Sequence, residues 1–270
     1  MKTTRHFAKW LLILLGVLFT NAGAAQPQQS ADTHPSPNNT PKRILFVGNS
    51  YFYYNDSLHN HVLRMVTAAD PASANSLQYK SATISGAPLA HHNIAHLLLP
   101  DGLGIKQPFD VVILQGASGE ALSDAGHAAF RQQVLEMNKE IKKRGARSAL
   151  YMTHAYVKPN KAANPDMIRK IEDMYVSVGK EAGSMVIPVG LAFEEAYRLR
   201  PDIKLHKEYD GSHPDLIGTY LAACVVYASL YGKSPVGNTY DYYGKIDKAT
   251  AAFLQKVAED TVRKFSARHP

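Results

Sequence analysis

Arg43-Ile-Leu-Phe-Val-Gly-Asn-Ser50 decides how this chain folds: four consecutive apolar residues run into a glycine, an asparagine and a serine. A short apolar run bounded by turn residues is the pattern of a strand buried on both faces, as in a parallel sheet. Gly48 permits a tight turn, and Ser50 then presents a hydroxyl at the strand's carboxyl end. Far along the chain, Asp210-Gly-Ser-His-Pro214 sets a carboxylate three residues before an imidazole in a turn. A serine hydroxyl is a weak nucleophile at neutral pH. It needs an imidazole to take its proton and a carboxylate to orient that imidazole.

Runs of strand type recur at 78–84, 110–114, 147–152 and 185–189, and segments of helical period fill 57–69, 123–144, 165–182, 214–231 and 248–265. This alternation predicts an α/β domain, a parallel five-stranded sheet with crossover helices. Within 123–144, Val134, Met137, Asn138 and Ile141 share one helical face and Lys139, Lys142 and Lys143 the other. Ligands of open parallel sheets bind beyond the carboxyl ends of the strands. That rule gathers Ser50, Ser85 with Gly86, Gln115 with Gly116, and the turn from Asp210 to His213 at one edge.

At 270 residues and 45% hydrophobic composition, the chain can bury one large core, and residues 42–270 are read as one domain. Lys2, Arg5 and Lys9 precede an apolar run at 10–19 and then Ala22-Gly-Ala24, the pattern of a cleaved secretory signal over 1–24. Ten apolar residues span about 15 Å, half of a ~30 Å hydrocarbon core, so no lasting membrane insertion is expected. Residues 25–41, rich in Pro, Gln, Asn and Ser, read as a disordered linker. The destination is then a bacterial-type periplasm or the exterior. Losing three basic residues with the signal lowers the formal charge from +7 to +4, which is little support for an anionic partner. Cys224, the single cysteine, lies in an apolar helical stretch and reads as a buried structural thiol. No phosphate-binding glycine loop and no basic-aromatic pattern points to nucleic acid.

Gly48-Asn-Ser50, Gly86, Gln115 and the D-x-x-H of Asp210 to His213 resemble the four ordered blocks of the SGNH hydrolase superfamily, the GDSL-type esterases. The likeness is strongest to a bacterial subgroup with Gly-Asn-Ser in the first block and Leu-Gln in the third, and it extends over Val189-Gly-Leu-Ala192 and Gly218-Thr-Tyr-Leu221. The resemblance implies a flavodoxin-like three-layer α/β/α sandwich, with Ser50 as nucleophile, His213 as base and Asp210 as its partner. It also implies an oxyanion hole from the Ser50 and Gly86 N–H groups and the Gln115 amide, and no cofactor. Asn49 replaces the family's usual Asp, and Leu114-Gln115-Gly116 replaces its usual Gly-x-Asn-Asp.

Tyr51, His92 and His154 are candidates to line the pocket. His59, His61, His91, His92 and His96 cluster in sequence without the carboxylate of an H-E-x-x-H zinc site, so no metal is assigned. Gly116-Ala-Ser-Gly-Glu120 nearly spells a nucleophile elbow at Ser118, but Glu120 stands where the last glycine belongs. The expected activity is hydrolysis of small acyl esters, acetyl foremost, on a small molecule or glycan. The alternatives are a lipid, aryl-ester or thioester hydrolase with the same residues, or a non-catalytic glycan-binding protein.

Overall fold

The structure, a computed structural model, describes residues 40–270. The expected signal and the linker as far as residue 39 lie outside the described residues. Five strands, β1 (Arg43–Gly48), β2 (Gln78–Thr83), β3 (Val111–Leu114), β4 (Arg147–Tyr151) and β5 (Met185–Ile187), form one sheet in the order β2-β1-β3-β4-β5. All four pairings are parallel. This is the flavodoxin-like order, in which the chain reverses its direction of travel beside β1 and opens a crevice there.

The helices are α1 (Ser50–Tyr53), α2 (Leu58–Ala69), α3 (Ile94–Leu97), α4 (Asp124–Lys143), α5 (Met167–Ala182), α6 (Val189–Leu199), α7 (Leu216–Tyr231) and α8 (Lys248–Arg268). Side chains alternate across a strand, so each strand feeds two cores. Ile44, Phe46, Val111 and Ile113 face one, packed by α2, α6, α7 and α8. Leu45, Val47, Val112 and Leu114 face the other, packed by α4 and α5. The sequence reading of three layers therefore holds.

Element ends differ from expectation where tertiary bonding intervenes. β5 stops at Ile187 because Pro188 has no N–H to continue the ladder, and Val189 already opens α6, which periodicity had not separated from the strand. α7 begins at Leu216, not at Pro214, because Pro214 is drawn into an antiparallel bridge with His206 and Asp215 caps the helix instead. α7 is apolar on every side and buried between its neighbours, with Cys224 fully enclosed and burial pushing its thiol pKa up. Among the described residues no helix is long and apolar enough to cross a membrane.

Phe52, one turn beyond the first strand, is fully buried with edge contacts to Phe46 at 5.5 Å and Tyr151 at 5.0 Å. Phe52→Ala is expected to cost about 3–5 kcal/mol. A urea midpoint within the error of the parent would show that this contact does not anchor α1 to the sheet.

Candidate active site

β1 ends inside the protein, so its last backbone groups need partners. The Gly48 carbonyl accepts from the Ile84 N–H at 3.1 Å and from His92 Nε2 at 2.9 Å. The Asn49 N–H donates to Gln115 Oε1 at 2.9 Å. The Asn49 side chain works in both directions: Nδ2 donates to the Ala87 carbonyl at 3.1 Å, and Oδ1 accepts the Tyr51 N–H at 3.2 Å as the cap of α1. Capping therefore falls to Asn49, which leaves the Ser50 hydroxyl free for another partner.

That partner is His213. Its Nε2 lies 2.9 Å from Ser50 Oγ, and its Nδ1 lies 2.5 Å from Asp210 Oδ2. Asp210 Oδ1 accepts the N–H groups of Ser212 at 2.8 Å and His213 at 3.0 Å. Burial pushes the Asp210 carboxyl up, but its bonds to His213 and to those N–H groups outweigh this and hold it below the usual carboxylate value. Tyr54 stacks on the His213 ring at 4.3 Å and 16°, and Tyr51 meets it edge-on at 5.9 Å.

The turn carrying Asp210 and His213 is held from several sides. Gly211 has φ of +61°, and a Cβ there would meet the Val157 carbonyl oxygen at 2.0 Å, so glycine is required. Its own carbonyl accepts the Val157 N–H at 2.8 Å. His154 Nε2 donates to the Ser212 carbonyl at 2.8 Å, while its ring is sandwiched between Tyr51 and Phe193, each at 4.4 Å. Burial drives the His154 pKa well down, so the ring is neutral, and among the described residues its Nδ1 has no hydrogen-bond partner. Tyr51 reaches the same turn through its hydroxyl, 2.9 Å from Ser212 Oγ.

Asn55 completes the clamp by donating to the Pro214 carbonyl at 2.9 Å and to Thr219 Oγ1 at 2.8 Å. It opens a run, Asn55, Asp56 and Ser57, with φ of 53°, 70° and 65°. Asn and Asp tolerate this left-handed region better than most residues. The Asn-Asp-Ser triplet was the one sequence signal for this turn, and sequence reasoning passed over it.

Ser50, Asp210 and His213 are thus brought together, and Gly86 follows β2 in a left-handed turn with φ of 65° at the same edge. Three expectations need correction, and Gln115 braces the turn below Ser50: it is fully buried, with Oε1 accepting the Asn49 N–H and Nε2 giving one of its two hydrogens to the Gly116 carbonyl. His92 is turned inward onto the Gly48 carbonyl. His154 and Tyr51 lie beneath the Asp210 turn as supports. None of these three histidine and tyrosine side chains lines an open pocket. Ser118 accepts from the Tyr156 hydroxyl at 2.7 Å, and the imidazole it would need as a nucleophile is spent on Ser50. Among the described residues no three His, Cys, Asp or Glu side chains converge on a metal position.

With this geometry in view, solved structures similar to the chain carry weight. A DUF4886 family protein from Bacteroides uniformis superposes with a TM-score of 0.63 at 19% identity, over 82% of this chain and 94% of that one. A candidate SGNH hydrolase from Slackia heliotrinireducens gives 0.56 at 22% identity, over 70% and 98%. A catalytic mutant of an acetylxylan esterase from Geobacillus stearothermophilus gives 0.52 at 17% identity, over 70% and 94%. No family model and no curated protein matches the sequence. The chain has the SGNH-hydrolase fold.

Two variants test the site's construction. Gln115→Ala leaves the buried Asn49 N–H unpaired and should lower unfolding free energy by about 1–3 kcal/mol. An oxyanion donor would instead cost ~10²–10³ in turnover with little loss of stability. Glu120, which accepts the Ala117 N–H at 2.8 Å, is raised by burial from 4.5 to about 7 against the opposing pull of that N–H. The folded state then holds a proton that the unfolded chain has lost, so stability falls as pH rises from 4.5 through about 7. In Glu120→Gln that decline should flatten when denaturation midpoints are compared across the window; an unchanged slope would contradict the assignment.

Proposed function

We propose that the protein is a serine esterase acting through an acyl-enzyme. The observation that carries this reading is the continuous chain from Ser50 Oγ to His213 Nε2 at 2.9 Å and from His213 Nδ1 to Asp210. Ser50 Oγ attacks the ester carbonyl carbon while its proton passes to His213 Nε2. Asp210, on the other ring nitrogen, fixes the tautomer and stabilises the imidazolium that forms. The carbonyl oxygen becomes an oxyanion facing the N–H groups of Ser50 and Gly86. Neither N–H has a protein acceptor among the described residues, which supports this role.

As the tetrahedral centre collapses, the bond to the leaving alcohol breaks, and His213 gives its proton to that oxygen. The acyl group stays on Ser50. A water then gives a proton to His213 as it attacks the acyl carbon, and the carboxylic acid leaves with Ser50 restored. Every covalent step is completed by these three side chains and water.

We further infer a short acyl group, acetyl foremost, and export. Support for acetyl is the likeness to an acetylxylan esterase, and support for export is the basic-apolar start of the sequence with its small-residue cleavage pattern.

Ser50→Ala should reduce hydrolysis of p-nitrophenyl acetate to background, and Asp210→Asn should lower kcat by about 10⁴-fold by favouring the wrong tautomer. Across acetyl, butyryl and octanoyl esters, kcat/KM should fall with chain length. Full activity in Ser50→Ala would overturn the mechanism, and an octanoyl optimum would overturn the small-acyl preference.

A further inference from the structure

Three of the large apolar side chains exposed on this protein lie beside the residues of the site. Tyr53, 38% exposed, follows Ser50 by three positions; Ile84 precedes Gly86 by two; Tyr209, 69% exposed, adjoins Asp210. Core packing does not account for this exposure. The rings are also tethered: the Tyr53 hydroxyl donates to Ser85 Oγ at 3.0 Å, and the Tyr209 hydroxyl donates to the Tyr54 hydroxyl at 3.2 Å. Tyr53 and Tyr54 stack at 5.6 Å, and Tyr54 continues onto His213. An arc of tyrosines therefore runs from Ser85 past Ser50 and His213 to Tyr209.

The arc has the chemistry of a sugar site. Aromatic faces pack well on the C–H face of a pyranose, and tethering lowers the rotamer entropy lost on binding. Among the described residues Ser85 and Tyr54 each accept one hydrogen bond and donate none, so two O–H donors remain for hydroxyls of a ligand. A hydrocarbon chain would gain from the rings but would leave those donors unused and would itself stay half in water. We propose that Tyr53, Tyr54 and Tyr209, with Ser85, form a subsite that holds the pyranose ring of the alcohol half of a carbohydrate ester beside Ser50. This proposal rests on the serine-esterase reading for its catalytic consequence, but ring binding itself does not need turnover.

The test uses two readouts. In the active enzyme, the ratio of kcat/KM for an acetylated methyl xylopyranoside to that for methyl acetate reports the subsite. It should fall roughly five- to tenfold in Tyr209→Ala and in Tyr53→Ala, the size of one lost aromatic contact, chiefly through KM for the sugar ester. Tyr243→Ala, which removes an exposed tyrosine (73%) outside the arc, should leave the ratio unchanged. In Ser50→Ala, saturation-transfer NMR should detect unesterified xylobiose, and adding Tyr209→Ala should weaken that signal. An unchanged ratio in both tyrosine variants, or no xylobiose signal in Ser50→Ala, overturns the subsite. A preference for octanoyl esters that Tyr209→Ala abolishes would assign the arc to an acyl chain and overturn it as well. Failure of catalysis alone would appear differently, as equal rates on methyl acetate for the parent and Ser50→Ala with xylobiose binding intact.

Discussion

A buried strand that stops inside a protein leaves polar backbone groups that water cannot reach, and the site is organised around satisfying those of β1. The Gly48 carbonyl and the Asn49 N–H call on Ile84, His92 and Gln115, which lie just past β2, farther along the same connection and just past β3. An unpaired buried group costs about 1–3 kcal/mol, so each of these bonds fixes a loop as well as a strand end. Asn49 adds bonds to Ala87 and Tyr51. The result draws the ends of three strands together around Ser50.

The second half of the site is built on the same logic from the opposite side. The turn bearing Asp210 and His213 has little regular structure of its own, and its shape comes from Val157, His154, Tyr51 and Asn55. His154 shows how burial serves this purpose. Kept neutral by desolvation, it donates one hydrogen bond without adding a charge next to the imidazole that takes a proton in the proposed mechanism. The left-handed run at residues 55–57 is strain accepted so that Asn55 can reach the Pro214 carbonyl.

The sheet and the Ser50, Asp210 and His213 set were legible because their signals are local. An apolar run ending in Gly-Asn-Ser, and Asp and His three apart around a glycine, depend on neighbours within a few residues. The bracing role of Gln115 was hidden for the opposite reason: its Oε1 accepts an Asn49 N–H 66 residues away, a bond that no local pattern announces. His154 and Tyr51 were misplaced, since aromatic rings suit a pocket wall and a buried stack equally well until their neighbours are known.

From sequence alone came the period of each strand, the α/β alternation and the chemical types at the sheet's edge, since side-chain alternation and turn chemistry act along the chain. Tertiary structure decided which of those groups meet. Ser50 and His213 are 163 residues apart, and only the order β2-β1-β3-β4-β5 with the clamped 210–214 turn sets them at hydrogen-bond distance. It also decided that Gln115 supports the turn, that His154 is buried, and that Tyr53 and Tyr209 face solvent, because hydrogen-bond satisfaction and burial belong to the folded surroundings of a residue and not to its type.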